Sequence, residues 1–353
     1  MRIAVISLDY ERASGSGALA WTLADGLRSA GHEVLLAGSN LVPYREADTE
    51  RPPNLHGALS LFERLRRAYR VATHAQLAEV DLVVVNTIVQ PEVVLACRAR
   101  GLRTIVWIHE SGAAVKSATV GPQKLISMIA ASAVVTPALH ATKRTYRAIL
   151  VPNPCIEGGI KVERPNRGLR NLVFVGSADR IKGFHHIPKL VEALPASDPQ
   201  WTISIFGRSG NISSSQIDQI QSDCRSNPSV LVKFNGRADP LEMFRESDVF
   251  VSLSESETAP LSAIEALCNG LRVVALDLPA YREMRERLAF ESQDLVACFP
   301  DIESMARELD HYANHSQFYS SIDSSIQAEF SVSVFLERWQ IVLESIAPRH
   351  TSK

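Results

Sequence analysis

Glu257-Thr-Ala-Pro-Leu-Ser-Ala-Ile-Glu265 is the stretch on which the reading of this chain turns. The apolar run before it, Asp248-Val-Phe-Val-Ser-Leu253, predicts a buried strand. Pro260 then opens a predicted helix over residues 260–269, because proline is tolerated at the first helical position, where its missing N–H is not needed. The unit is therefore strand, loop, helix. A helix start aims unpaired amides and the positive end of its dipole into the loop, which suits a phosphate group. Two carboxylates, Glu257 and Glu265, flank that start.

Outward from this stretch the same alternation repeats. Apolar runs at 172–175, 202–206, 230–234, 248–253 and 272–276 read as strands with helical patterns between them, and 301–346 reads as helical throughout. Towards the N-terminus, strands are predicted at 2–8, 33–37, 81–86, 103–108, 133–136 and 149–151. Helices are predicted at 18–30, 57–79, 91–100, 122–131 and 139–146. Between the two series lies a stretch carrying Pro152, Pro154, Gly158, Gly159, Pro165 and Gly168, the best boundary in the chain. The expected fold class is α/β, with two doubly wound Rossmann-like domains, 1–165 and 166–330, facing a cleft in which ligands bind at strand carboxyl ends, and a final segment 331–353.

The totals agree with that organisation. A chain of 353 residues is long for one core, and 46% hydrophobic with 22% charged residues describes an ordinary globular protein. The net charge of −2 divides unevenly: residues 1–165 carry 19 Lys+Arg against 14 Asp+Glu, the remainder 18 against 25. Five scattered cysteines without paired spacing fit a reducing compartment and argue against a structural zinc cluster. The apolar run at 2–8 ends at Asp9, too short for a secretion signal, and 125–139 is broken by Ser127, Ser132, Thr136 and Pro137, too polar to span a bilayer. A cytoplasmic location is expected. Nucleic acid is not an expected partner. Arg64, Arg66, Arg67 and Arg70 accompany Leu59, Phe62, Leu65 and Tyr69, a pattern for either a solvated helix face or peripheral contact with an anionic membrane surface.

Four loops at the ends of predicted strands carry residues suited to chemistry. Gly15-Ser-Gly17 follows the first strand and lets backbone approach a ligand closely, but it lacks the third glycine of a dinucleotide fingerprint. Trp107-Ile-His109-Glu110 ends a buried strand in titratable side chains, with His109 the candidate for proton handling. Gly176-Ser-Ala-Asp-Arg180-Ile-Lys182-Gly183 sets two cations beside flexible glycines, as a diphosphate requires, without the spacing of a P-loop. The opening stretch is the fourth. No Asp-x-Asp pair and no cluster with metal-ligand spacing occurs, so the expectation is neutralisation of a leaving phosphate by Arg/Lys and a helix dipole, with no metal.

These residues resemble the family-4 retaining glycosyltransferases of the GT-B fold. The matching features are Ser14-Gly15 with Gly31-His-Glu-Val34, Phe174-Val-Gly176 with Lys182-Gly183, the paired glutamates Glu257 and Glu265, then Ala266, Gly270, Val273 to Asp277 and Glu283. Phe330-Ser-Val to Trp339 is similar to the C-terminal helix that crosses back to the first domain in that family. The resemblance implies an acceptor-side first domain and a nucleotide-sugar-binding second one. It implies that Glu265 binds the donor ribose, that Glu257 contacts the transferred sugar, and that Pro260, Leu261 and Ser262 hold the diphosphate with Lys182. Gly15, Gly17, Ser177, Arg180 and Gly207 complete the implied donor set, and His109 sits by the sugar or acceptor hydroxyl. Catalytic roles fall to His109, Glu257 and Lys182. The chain departs from the family at Ser177, often Arg there, and at Thr258-Ala259, commonly Gly and an aromatic. The implied activity is retaining transfer from a nucleoside-diphosphate sugar, a co-substrate with no tightly bound cofactor, to a sugar, glycolipid or small-molecule hydroxyl. The alternative is a GT-B homologue without activity that binds a nucleotide-sugar or a partner enzyme.

Overall fold

Short runs such as Leu82-Val-Val-Val85 are apolar at consecutive positions, so as strands they need cover on both faces, and a parallel sheet between helices supplies it. The computed structural model describes residues 1–7, 15–38, 79–87, 91–110, 133–141, 148–156, 169–197, 200–208, 212–236, 240–315 and 324–346, with the single positions 66, 69, 73, 77, 210 and 238. The chain divides into two compact units, Met1–Ile156 with Val332–Lys353, and Glu157–Ser331.

In the first unit, β1 (Arg2–Ser7), β2 (Glu33–Gly38), β3 (Leu82–Val85), β4 (Arg103–Trp107), β5 (Ala133–Thr136) and β6 (Ala148–Leu150) pair in parallel in the order β2-β1-β3-β4-β5-β6. The chain leaves β1 for β2 on one side and reaches β3 on the other, so the topological switch lies between β1 and β3. Helix α1 (Gly15–Ser29) turns Leu19, Leu23 and Leu27 inward at spacings of four, and α2 (Pro91–Ala99) buries Val93, Val94 and Cys97.

The second unit repeats the design. Its strands β7 (Asn171–Val175), β8 (Trp201–Phe206), β9 (Val230–Gly236), β10 (Val249–Ser252), β11 (Arg272–Leu276) and β12 (Val296–Phe299) are all parallel, in the order β12-β11-β10-β7-β8-β9. The switch point falls between β7 and β10. Helices α3 (Ile187–Ala193), α4 (Ser214–Asp223), α5 (Pro240–Arg245), α6 (Leu261–Cys268), α7 (Pro279–Glu286), α8 (Ile302–His315) and α9 (Ser324–Glu329) complete it. Phe174, Phe184, Ile187, Trp201, Met305 and Leu309 belong to its core. A last helix, α10 (Val332–Ile346), belongs to the first unit. There Trp339 packs edge-on against Trp107 at 4.9 Å, with Phe335 5.9 Å from Trp107. Gly26 of α1 makes room for Leu336, whose side-chain carbon would stand 2.3 Å from any Cβ placed there. Arg103 donates to the carbonyl of Ile346 at 2.7 Å, pairing an otherwise open acceptor at the end of α10.

Several expectations are corrected. Helix α1 starts at Gly15, not at residue 18, so both glycines of the first loop sit in its first turn, where weak helix propensity costs little. Pro260 stands one place before α6 rather than inside it: its ψ of 97° is extended, and its carbonyl takes bonds from Ala263 and Ile264 at 3.1 Å. Strand β12 is not among the expected strands, and the helical reading of 301–346 is interrupted between Glu329 and Val332. The predicted helix at 122–131 lies outside the described residues, as do Arg64, Arg67 and Arg70; Arg66 is described and exposed. Among the described residues, no helix is long and apolar enough to cross a membrane.

Candidate functional site

Strand order decides which loops meet. In the second unit β7 and β10 are neighbours at the switch point, so the loops leaving their carboxyl ends lie side by side. The first is the glycine-and-cation loop 176–183; the second holds Glu257. Backbone contacts lock them together. Glu255 donates its amide to Ile181 O at 2.8 Å, and Gly183, at φ 74°, leaves so little room that a Cβ would lie 1.8 Å from Leu253 O. Only glycine fits there.

The locked loops bring Lys182 and Glu257, 75 positions apart in sequence, to 2.7 Å. Glu257 Oε1 also accepts from Ser254 Oγ at 2.9 Å. Beneath this pair Tyr281 is fully buried and donates to Ser252 Oγ. Its burial, reinforced by the carboxylate of Glu257, holds the phenol well above its ordinary pKa, so it stays a neutral donor. Beside the pair, α6 begins. Its first amide to bond back is that of Ala263, so the amides of Leu261 and Ser262 precede the intrahelical ladder. Glu265 lies half-buried about one turn further on, roughly 6 Å along the axis. Thr258, which departs from the family pattern, is buried, and Ala259 is half-buried.

Not every expected donor residue is placed as an open ligand. Ser177 gives its hydroxyl to Asp179. The Gly207 amide is engaged by Gly236 O at 2.7 Å, and a Cβ at Gly207 would strike Gly176 O at 1.8 Å, so this glycine serves close packing of two loops. Arg180 points outward, 81% exposed, with its Nε 3.9 Å from Glu255.

The first unit forms a second cluster at its own switch point. Asn86, just past β3, donates its amide nitrogen to Ser7 Oγ at 3.0 Å and to the Ser16 carbonyl at 3.1 Å. A carbonyl only accepts, so the amide oxygen must face the other way, and there it meets Nε2 of His109 at 2.5 Å. The imidazole therefore carries its proton on Nε2 and presents Nδ1 as an acceptor. Trp107, 4.3 Å away centre to centre, backs the ring. Burial lowers the His109 pKa to about 3, which keeps the imidazole neutral at physiological pH. Glu110 receives the Thr87 hydroxyl and the His109 amide, the latter at 3.1 Å. Gly15 and Gly17, in the first turn of α1, flank Ser16, whose carbonyl anchors Asn86.

The sequence reading missed Asn86, Ser7, Ser254 and Tyr281. Each is a buried polar residue at or just beyond a strand carboxyl end, except Tyr281, which rises from α7. A polar residue directly after an apolar run was the available signal for the first three.

Residues 160–325 match the family described as "Glycosyl transferases group 1". Among curated proteins, the chain is 26% identical over 168 residues to a GDP-mannose:cellobiosyl-diphosphopolyprenol α-mannosyltransferase of Xanthomonas oryzae pv. oryzae, and 27% identical over 143 residues to the enzyme of that name from Xanthomonas campestris. These matches cover 46% and 39% of this chain, and it spans 43% and 37% of those relatives' length. Among solved structures, it is similar to Anabaena HepE in complex with UDP-glucose, with a TM-score of 0.73 at 15% identity over 98% of this chain and all of that one. It is also similar to the lipopolysaccharide outer core galactosyltransferase WaaB, with a TM-score of 0.71 at 14% identity over 98% of this chain and 100% of that one. At such identities the structural likeness shows a shared fold.

Proposed function

We propose that this chain, a protein of the GT-B glycosyltransferase fold whose second unit matches the group 1 glycosyltransferases, moves a glycosyl group from a nucleoside-diphosphate sugar to an acceptor hydroxyl. The observation that carries the reading is the Lys182–Glu257 pair at the β7/β10 switch point, set beside the open amides that begin α6.

The chemistry follows from that juxtaposition. As the bond between the sugar's reacting carbon and the diphosphate oxygen breaks, negative charge builds on the diphosphate. An ammonium with three N–H donors can hold Glu257 with one and a phosphate oxygen with another, while Leu261 and Ser262 offer amides at the positive end of a helix. Such preorganised donors act where the charge develops. Glu257, oriented by Ser254 and Lys182, contacts the transferred sugar; Glu265 takes the ribose hydroxyls. The acceptor oxygen forms the new glycosidic bond, and its proton leaves with the diphosphate. The acceptor approaches the face from which the diphosphate departs, so configuration is retained. His109, neutral and with Nδ1 as an acceptor, serves a sugar or acceptor hydroxyl. Lys182 and the helix start are charge enough for the leaving group without a metal bridging the phosphates. The acceptor is a sugar, a glycolipid or a small molecule, and the glycolipid option draws support from the substrate named in the two Xanthomonas relatives.

The test is ligand-dependent melting of the full chain with UDP-glucose and with GDP-mannose, followed by NMR of the anomeric product. One donor should raise the melting temperature in proportion to the logarithm of its concentration over its dissociation constant, and the product should keep the donor's configuration. No shift with any nucleoside-diphosphate sugar would overturn the reading.

A further inference from the structure

The loop pair that carries Lys182 and Glu257 also assembles a second cluster, on its outer side. His185 and His186 end a short 3-10 turn, Phe184–His186, that starts from the left-handed Gly183. Their ring centres lie 3.9 Å apart with the planes tilted by 39°, and the Nε2 atoms of both face one oxygen of Glu255, at 3.2 and 3.5 Å. We propose that His185, His186 and Glu255 form a binding site for a divalent transition-metal ion, with Zn²⁺ the ion its donors suit best.

Three observations support this. The donor set is two imidazoles and one carboxylate, the combination that zinc accepts with a solvent molecule in the fourth place. The spacing also fits: ligands about 2.0–2.1 Å from a tetrahedral zinc stand about 3.3 Å apart, against the 3.2 and 3.5 Å found here. All three ligand atoms lie within 4.8 Å of one another. Finally, the atoms are held in advance. Phe184 is buried in the core, the His186 amide bonds to Gly183 O at 2.8 Å, and the Glu255 amide bonds to Ile181 O at 2.8 Å. The Nδ1 atom of His185 is buried, which leaves Nε2 as that ring's open nitrogen.

The sequence hid this site because its third ligand is 69 positions beyond His186, on the loop after β10. Spacing along the chain does not reveal the set, which is a product of strand order. A bound ion would cross-link the two loops at the switch point and take over the carboxylate oxygen that Arg180 now approaches at 3.9 Å. The site does not depend on the proposed reaction, and binding of the metal alone can be read without any sugar donor.

Calorimetric titration of the full chain with ZnCl₂ should show one saturable site. His186→Ala and Glu255→Gln should each weaken it by tenfold or more, while His311→Ala, which breaks the stacked histidine pair at His311 and His315, should leave it unchanged. Melting curves without metal confirm that each variant is folded, and Glu255→Gln preserves the side chain's shape should the histidine variant not be. Co²⁺ in place of zinc should give visible absorption bands in the wild-type chain that both variants lose. No saturable binding to the folded wild type, or equal affinity in His186→Ala and Glu255→Gln, would show that the three residues only hydrogen-bond to one another.

Discussion

Lys182 and His109 show how differently two side chains in one protein are set for work. Lys182 is 37% exposed and takes its value from what it faces, the Glu257 carboxylate. Replacing it by alanine should leave melting nearly unchanged and cut transfer by ~10²–10³-fold, about 2.7–4 kcal/mol, the cost of one preorganised charge contact; steady-state rates and a melting curve measured together separate the two. Glu257→Ala should abolish transfer with the fold intact, because the residue lies on a loop. His109 is governed by its surroundings instead. With a folded pKa of about 3 and an unfolded value of about 6.5, the unfolded chain binds the extra proton between those limits. Its contribution to stability is therefore full above pH 6.5 and shrinks as pH falls towards 3. Acid destabilisation over that window should be shallower in His109→Gln. Nitrogen-15 NMR should show the Nε2-protonated tautomer with no titration between pH 5 and 8, and Asn86→Ala should disturb that tautomer; a proton found on Nδ1 would refute the assignment.

Among the elements, the loop from β7 to α3 is the most constrained. Gly183 within it, and Gly207 on the loop after β8 that packs against Gly176, each leave only 1.8 Å between a Cβ and a backbone oxygen, whereas a Cβ at Gly176 would meet only side chains, at 3.5 Å. Gly183→Ala should cost ~1–2 kcal/mol from the left-handed conformation alone, and more from the collision with Leu253 O. A denaturation midpoint unchanged by this substitution would mean that the loop can move away from β10. Helix α6 works through its beginning: Pro260 closes the chain's approach while leaving the next amides unbonded within the helix, a start that is useful because it is not capped by a side chain.

At the scale of the molecule, two sheets built on one plan each place their polar residues at the switch point, and the last helix ties the end of the chain to its first half. The tie is aromatic. Trp107, Phe335 and Trp339 are all buried, and α10 fits against the gap left by Gly26. Trp339→Ala should destabilise the first unit by about 3–5 kcal/mol, read as an early transition in urea unfolding followed by tryptophan fluorescence. The second unit, which holds its own core around Trp201, should unfold at an unchanged midpoint.

The alternating α/β architecture, the parallel sheets and the residues of the loops carrying Lys182 and Glu257 were legible in the chain itself, because consecutive apolar runs, glycines and a proline before a helix are local signals with local causes. Eleven of the strands among the described residues were legible in this way, and β12 was not. Which loops meet is settled by packing rather than by any local signal. The β7/β10 adjacency is a consequence of strand order, and strand order is set by packing across the whole unit rather than by any window of residues. That adjacency joins Lys182 to Glu257 and His186 to Glu255, and the β1/β3/β4 adjacency gives Asn86 its hold on His109. The stretch from Glu257 to Glu265 carries the groups, and the fold supplies the cation opposite them.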